Sequence, residues 1–302
     1  MTKLNQIKKN TGLYILILPA VLLSLCFAYK PMYGVIIAFK DYRNTLGIMG
    51  SPWADPLFKH FIKYFNSYQF GNTIRNTLTI SFYSLFAMVP LPIIMALVLN
   101  QMRRKTFKRV FQTITYLPHF ISTVVIVGMM IIMLSPGSGI IGHIYRLFDA
   151  VAPNLMGSAG AFSSVYVWSD VWQHTGWDSI IYLAALSAVD PALYEAATMD
   201  GANRFQKIIF IDLVMIMPTA CILLILRAGN IMNVGFEKVF LMQNNLNMDA
   251  AEVISTYVYK MGIRTLQYSY SAAVNFFNTV VNLVLLMAVN FFSKKFSETS
   301  LW

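Results

Sequence analysis

Five stretches, residues 13–29, 78–99, 110–134, 208–226 and 272–292, are almost uninterrupted apolar runs. Each is close to the roughly 20 residues that an α-helix needs to cross the hydrocarbon of a bilayer. A sixth, weaker run covers residues 165–189. No other feature constrains the fold as much. Hydrocarbon offers no water to a backbone N–H or C=O, so each crossing segment must satisfy its own hydrogen bonds as a helix. The expected fold class is all-α integral membrane, with six transmembrane helices. Composition agrees, since 12% of the 302 residues are charged and 57% are hydrophobic, against about 25% charged in soluble domains.

The first run continues apolar to Phe39. Leu25, not a small residue, precedes Cys26, and no small-x-small site follows. Neither a lipoprotein signal nor a cleaved signal peptide fits this pattern. Residues 13–39 are therefore expected to be a retained first span, tilted or bent near Pro31. Cys26 and Cys221 both lie in expected spans, which leaves no disulfide framework and no CxxC pair.

A net charge of +10 would suggest nucleic acid in a soluble protein. Here the basic residues flank the apolar runs, with no basic stripe interleaved with aromatics, so nucleic-acid binding is excluded. The link at residues 101–109 carries Arg103, Arg104, Lys105, Lys108 and Arg109. Lys3, Lys8 and Lys9 precede the first run, and Lys294 and Lys295 follow the last. Six spans put all three groups on one face, and dense positive charge in a short link assigns that face to the cytoplasm. The expected organisation is a cytoplasmic N-terminus (1–12), a single six-helix membrane domain (13–293) and a cytoplasmic C-terminus (294–302). Short interfacial helices are expected near residues 250–261, within a long connection on the other face.

Residues 190–206, between the fourth and fifth runs, read as a short helix with strong end signals. Asp190 suits the N-cap, Pro191 the first helical position, and Gly201 the left-handed residue past the end. A second helix is expected to start near Asn203 and run into the fifth span. The bland reading of such a helix is an ordinary surface connection; the functional one is a docking element.

Glu195-Ala196-Ala197, three residues, Gly201, then nine residues to Ile211-Asp212-Leu213 resembles the EAA loop of ABC importer permeases, EAA-x3-G-x9-I-x-L-P. Val214 stands where the family has proline, and the next proline is Pro218. The sequences around Tyr29–Gly34, Ala38–Tyr42, Gly50–Trp53, Val234–Lys238 and Val253–Tyr259 are similar to polysaccharide-type permeases of Gram-positive bacteria. The resemblance implies a type I importer architecture at the plasma membrane. Its implied partners are a second related permease, a cytoplasmic ATPase dimer and an extracellular solute-binding lipoprotein, with an oligosaccharide as cargo. It implies that Tyr194, Glu195, Ala196, Ala197, Asp200 and Gly201 couple to the ATPase, Glu195 as a polar contact and Gly201 as the bend. The chain has no G-x4-G-K-[ST] phosphate loop, so ATP and Mg are expected on the partner ATPase and no cofactor on this chain.

Sugars are held by aromatic faces and planar polar groups. Trp168, Trp172, Thr175, Ser179 and Tyr182 recur at helical spacing, with Gln173, Trp177 and Asp178 beside them. Asn275, Asn278 and Asn282 form a second stripe, and Asn230 and Asn233 follow the fifth run. Of these, Trp168, Trp172, Gln173, Trp177, Asp178, Ser179, Asn230, Asn233, Asn278 and Asn282 are candidates for the substrate pathway. The competing reading is helix packing by small polar residues and an interfacial tryptophan belt. Asp178 is open to three roles: hydrogen-bond acceptor for cargo, packing partner, or water-exposed group. Asp212 is expected to be structural, neutralised by Lys207 or Arg204. His60, His119, His143 and His174 show no metal-ligand spacing, so no metal site is expected, and no residue set points to catalysis. An ion-driven secondary transporter is the alternative class. No pair of matching broken spans supports it, and the 195–201 helix would have no role there.

Overall fold

The computed structural model describes residues 10–297; Lys3, Lys8 and Lys9 lie outside the described residues, as do 298–302. Four helical stretches are long and apolar enough to cross a membrane: Thr11–Phe39, Tyr68–Asn100, Arg204–Ala228 and Tyr268–Phe291. Two bent pairs raise the number to six if each is one span: Lys105–Phe120 with Thr123–Met133, and Ala159–Ser187 with Pro191–Met199. These are called spans 1 to 6 in chain order, span 4 being Ala159–Ser187. Among the described residues the only β-type pairing is an isolated bridge between Lys40 and Trp53. Contacts gather into two compact units, one running to Ser67 and including Val258–Phe277, the other holding Tyr68–Tyr257 and the chain from Asn278 on. Each is described on its own.

In the first unit, span 1 does not break at Pro31. The α-helix Thr11–Ser24 widens to a π turn at Leu25–Tyr29, then tightens to a 3-10 helix at Tyr33–Phe39. Proline cannot donate to the carbonyl four residues back and its ring crowds that turn; the wide turn just before Pro31 absorbs the misfit. None of the residues in the span's most apolar window is buried. Beyond it, Lys40 is buried, donates to the carbonyls of Ile48 (2.8 Å) and Met49 (3.1 Å), and lies 4.9 Å from the Trp53 ring centroid. The helix Lys59–Phe65 packs Phe61 between Phe39 and Phe276. Its first turn brings Lys59 and His60 to Asp41 at 2.9 and 3.1 Å.

Span 4 is the axis of the second unit. Phe162, Tyr166, Val167 and Val171 are buried in one apolar cluster with Ile80, Met88, Val239 and Val253; Tyr182, Leu183 and Leu186 join a second with Ala96, Leu99 and Ile216. Span 3 departs from expectation. It is not one helix through residues 110–134 but is bent by 99° between Lys105–Phe120 and Thr123–Met133. Pro118 sits in a 3-10 turn at Leu117–Phe120, and Ser122 then caps a new helix by accepting from the Val125 N–H. A proline without its N–H followed by an N-capping serine both ends one helix and starts another. The first half of span 3 lies so close to span 4 that a Cβ on Gly176 would be 2.1 Å from the Thr115 carbonyl oxygen.

The expected short helices near residues 250–261 are present at Met248–Ala251 and Ile254–Tyr259. They are not surface elements. Ala251, Val253 and Ile254 are fully buried, and Asn76 of span 2 donates to the carbonyls of Asp249 (2.7 Å) and Glu252 (3.1 Å). The alternation of apolar and aromatic residues fits either setting, and only packing on span 2 distinguishes them.

Candidate functional site

A polar cavity of about 610 Å³ lies beside the break in span 3, lined among others by Thr123, Gln173, His174, Arg227, Asn230 and Asn233. That volume is typical of small-ligand sites. Broken helices at membrane depth are tolerated where they line a cavity, because freed backbone groups then find partners. Here Gln173, buried, donates to the Ile121 carbonyl at 3.1 Å. Asp170 lies one turn before His174 and receives Lys238 at 3.0 Å. Lys238 is only 5% exposed and its ammonium also lies 5.1 Å from the Tyr166 ring. His174 meets His119 from the span 3 break, their Nδ1 atoms 3.0 Å apart, and Trp177 stacks on His119 with ring centroids at 4.5 Å.

A second cavity of about 530 Å³ is lined by Trp177, Asp178, Ile181, Tyr182 and Arg227, among others. Arg227 therefore faces both cavities, and its guanidinium is paired with Asp178. The three roles open to Asp178 did not include an ion pair, which is what this structure has, with Arg227 as the partner. Charged groups at membrane depth are costly and mark pathways or relays. Arg227 and Lys238 were not among the sequence candidates. The available signal was a single arginine closing an apolar helix and an aspartate, Asp170, one turn from a histidine.

Other candidates lie elsewhere. Trp168 and Trp172 line a third, apolar cavity with Ile126, Met129, Met133 and Leu155, and the Trp168 indole donates to Tyr83. Ser179 is fully buried and donates to the Gly176 carbonyl, while Tyr182, though largely buried, borders the second cavity. The 168–182 stripe therefore shares one side of the helix without facing one polar space. Asp170, Gln173 and His174 face the first, polar cavity, and Trp177 and Asp178 the second. Asn230 and Asn233 border the first cavity. Asn278 and Asn282 stand behind it: Asn278 donates to Asn233 at 3.0 Å, and Asn282 accepts the Met232 N–H at 2.9 Å. These two tie helix to loop, as the packing reading expects. Among the described residues no group of three or more candidate ligands could hold a metal.

The 190–206 segment has the expected ends. Asp190 accepts the Ala192 N–H at 2.9 Å, Pro191 opens the helix Pro191–Met199, and Asp200 closes it. Gly201 follows at φ +76°. Asn203 and Gln206 form a reciprocal capping box at the start of span 5. Glu195 and Ala196 are exposed, while Tyr194 and Ala197 are half-buried. Asp212 differs from expectation. It is fully buried at the end of a π turn, Ile208–Asp212, and accepts from Tyr194 Oη (2.5 Å), Gln101 Nε2 (2.9 Å) and Asn100 Nδ2 (3.4 Å). Lys207 bonds Thr198 Oγ1 instead. Neutral donors, not a cation, satisfy this carboxylate. Burial, and then the Asp212 carboxylate, push the Tyr194 phenol up to about 12, so it stays a donor.

Residues 88–298 match the family described as binding-protein-dependent transport system inner membrane component. The chain belongs to that family. The permease is 41% identical over 290 residues to the polygalacturonan/rhamnogalacturonan transport system permease protein YteP of Bacillus subtilis, covering 96% of this chain and 90% of the relative. Protein LplB of the same organism is 40% identical over 296 residues, covering 98% and 92%. Among solved structures, a chain of a bacterial alginate ABC transporter in complex with alginate pentasaccharide-bound periplasmic protein superposes with a TM-score of 0.89. It is 38% identical, over 98% of the permease and 99% of that chain. The permease is thus a multi-pass, all-helical ABC transport component of type I importer fold.

Proposed function

We propose that this permease forms one half of the membrane pathway of an ATP-driven importer of oligosaccharides. A second related permease would complete the pathway, a cytoplasmic ATPase dimer would drive it, and an extracellular solute-binding lipoprotein would deliver the cargo. The observation that carries the reading is the helix Pro191–Met199, capped at both ends and presenting Glu195 to solvent between spans 4 and 5. A motor subunit needs a rigid handle of this kind, and the chain has no phosphate loop of its own. In this reading the basic 101–109 link, the coupling helix and both termini face the cytoplasm of a Gram-positive cell, and residues 13–293 are the membrane domain. Tyr194, Glu195, Ala196, Ala197, Asp200 and Gly201 make the ATPase contact and its bend. Gln173, Trp177, Asp178, Asn230 and Asn233, with Arg227, border the path. Trp168, Trp172, Ser179, Asn278 and Asn282 support the helices that form it. ATP and Mg act on the partner, and this subunit is not catalytic.

The polygalacturonan/rhamnogalacturonan relative and the alginate transporter make uronic-acid oligosaccharides the first cargo to try. The test is to purify the permease from its native membrane and assay ATP hydrolysis with and without the binding protein. Recovery of a second permease and an ATPase, with hydrolysis stimulated by loaded binding protein, is expected. A permease that purifies alone, without nucleotide hydrolysis, would overturn the reading and favour an ion-driven carrier.

A further inference from the structure

Apart from the Asp190 cap on its first turn, the helix Pro191–Met199 is joined to span 5 by Tyr194 bonding Asp212 and Lys207 bonding Thr198. These bonds are not equivalent. Thr198 is exposed and Lys207 half-buried, and their bond staples the helix to the start of span 5 only. Asp212 is fully buried, and its carboxylate is divided between elements. Oδ1 takes the Tyr194 hydroxyl and Asn100 Nδ2, while Oδ2 takes Gln101 Nε2. Asn100 ends the second half of span 2, and Gln101 caps it. One side chain of span 5 thus holds the coupling helix and the end of span 2 at the same time.

We propose that Asp212 is the positioning residue that makes spans 2 and 5 move with the coupling helix, so that displacement of that helix reaches the cavity-lining residues as a single rigid motion. The inference rests on the importer reading of the helix. Its physical content is threefold. A carboxylate is acceptor-only on both oxygens, so Oδ1 and Oδ2 can serve different elements, whereas the equally sized asparagine amide accepts on one oxygen only. A buried carboxylate with only neutral donors, and no paired cation among the described residues, depends on every one of them, so the three elements cannot separate without stranding a charge. Coupling between distant sites requires an element with two arrangements that both sites bias. Span 5 carries Asp212 near its start and Arg227 in its last turn, where the guanidinium faces both cavities. Span 2 contributes Ser81, Ser84 and Met88 to the first cavity. Both spans held by Asp212 therefore line the space that must open and close.

The experiment uses the complete transporter in proteoliposomes, with its ATPase inside and loaded binding protein outside, carrying Asp212→Asn, Tyr194→Phe or both. Assembly, stimulated ATP hydrolysis and sugar uptake are measured on each preparation, and the readout is ATP hydrolysed per sugar moved. Asp212→Asn and Tyr194→Phe should each assemble and hydrolyse ATP but spend severalfold more ATP per sugar. The double variant should be no worse than the poorer single one, because both remove the same link. Tyr194→Phe leaves the buried carboxylate in place, so it gives an answer even if Asp212→Asn fails to assemble. An unchanged ratio in Tyr194→Phe would overturn the proposal and reduce Asp212 to a packing residue of span 5. A wild-type complex that moves no sugar on ATP hydrolysis would instead overturn the importer reading itself.

Discussion

A lysine that is 5% exposed at the edge of a membrane cavity keeps its charge only while a carboxylate is held against it, and Lys238 has Asp170 at 3.0 Å. Removing either partner leaves the other charge buried and alone, which costs about 3–5 kcal/mol. Lys238→Ala or Asp170→Ala should therefore lower the thermal midpoint of the detergent-solubilised permease sharply, while Lys238→Met with Asp170→Leu should recover most of it. Equal midpoints for all three would show that the pair contributes nothing. Gly201 is a residue of another kind. At φ +76°, with no atom within 4 Å of a built Cβ, its substitution by alanine meets no clash and costs only the left-handed backbone, roughly 1–2 kcal/mol. Gly201→Ala is expected to assemble but lose uptake severalfold, with Gly201→Asn milder, since asparagine tolerates that conformation. Uptake equal to wild type in Gly201→Ala would remove the bend from the coupling account.

Packing of one element on another sets the next scale. Spans 3 and 4 touch through Gly176, where any Cβ would meet the Thr115 carbonyl. Overpacking costs about 1–3 kcal/mol in a packed core, so Gly176→Val should lower the thermal midpoint and disturb the His119–Trp177 stack, read as a change in tryptophan fluorescence. In the first unit, burial holds the His60 imidazole below its ordinary 6.5, against the opposing pull of Asp41. The unfolded chain then binds more protons than the folded one just below that value, so the contribution is complete above pH 6.5 and lost as pH falls through it. The hydrogen bond from Lys59 holds Asp41 below 3.8, and that contribution disappears only at lower pH still. The thermal midpoint should decline on acidification through the first window, and His60→Gln should flatten the decline. At this scale the sequence was legible where local chemistry decides. Asp190, Pro191, Gly201 and Asn203 mark helix ends by their own side chains and backbones, and the structure has those ends. Span 3 was misread because hydropathy sees the apolar run across Pro118 but not the Ser122 cap that restarts it at 99°. The Trp168–Tyr182 spacing defines a side of a helix but not what that side meets: Trp168 and Trp172 border an apolar cavity and Ser179 is buried.

Across the whole molecule, the apolar runs alone specify the all-helical membrane class, and the family match and fold likeness agree with it. The charged pairs Asp178–Arg227 and Asp170–Lys238 were not legible, because each joins residues 49 and 68 positions apart and only the packed bundle brings them together. Asp170 and Lys238 border the first cavity, Asp178 borders the second, and Arg227 borders both. In the proposed importer, ATP hydrolysed by a partner moves an oligosaccharide past these residues. The most direct test is uptake of a labelled uronic-acid oligosaccharide into proteoliposomes holding the purified complex, with and without internal ATP. Accumulation is expected only with ATP and loaded binding protein, and is expected to be abolished by charge reversal at Glu195. Accumulation driven by an ion gradient without ATP, unaffected by that reversal, would contradict the importer reading.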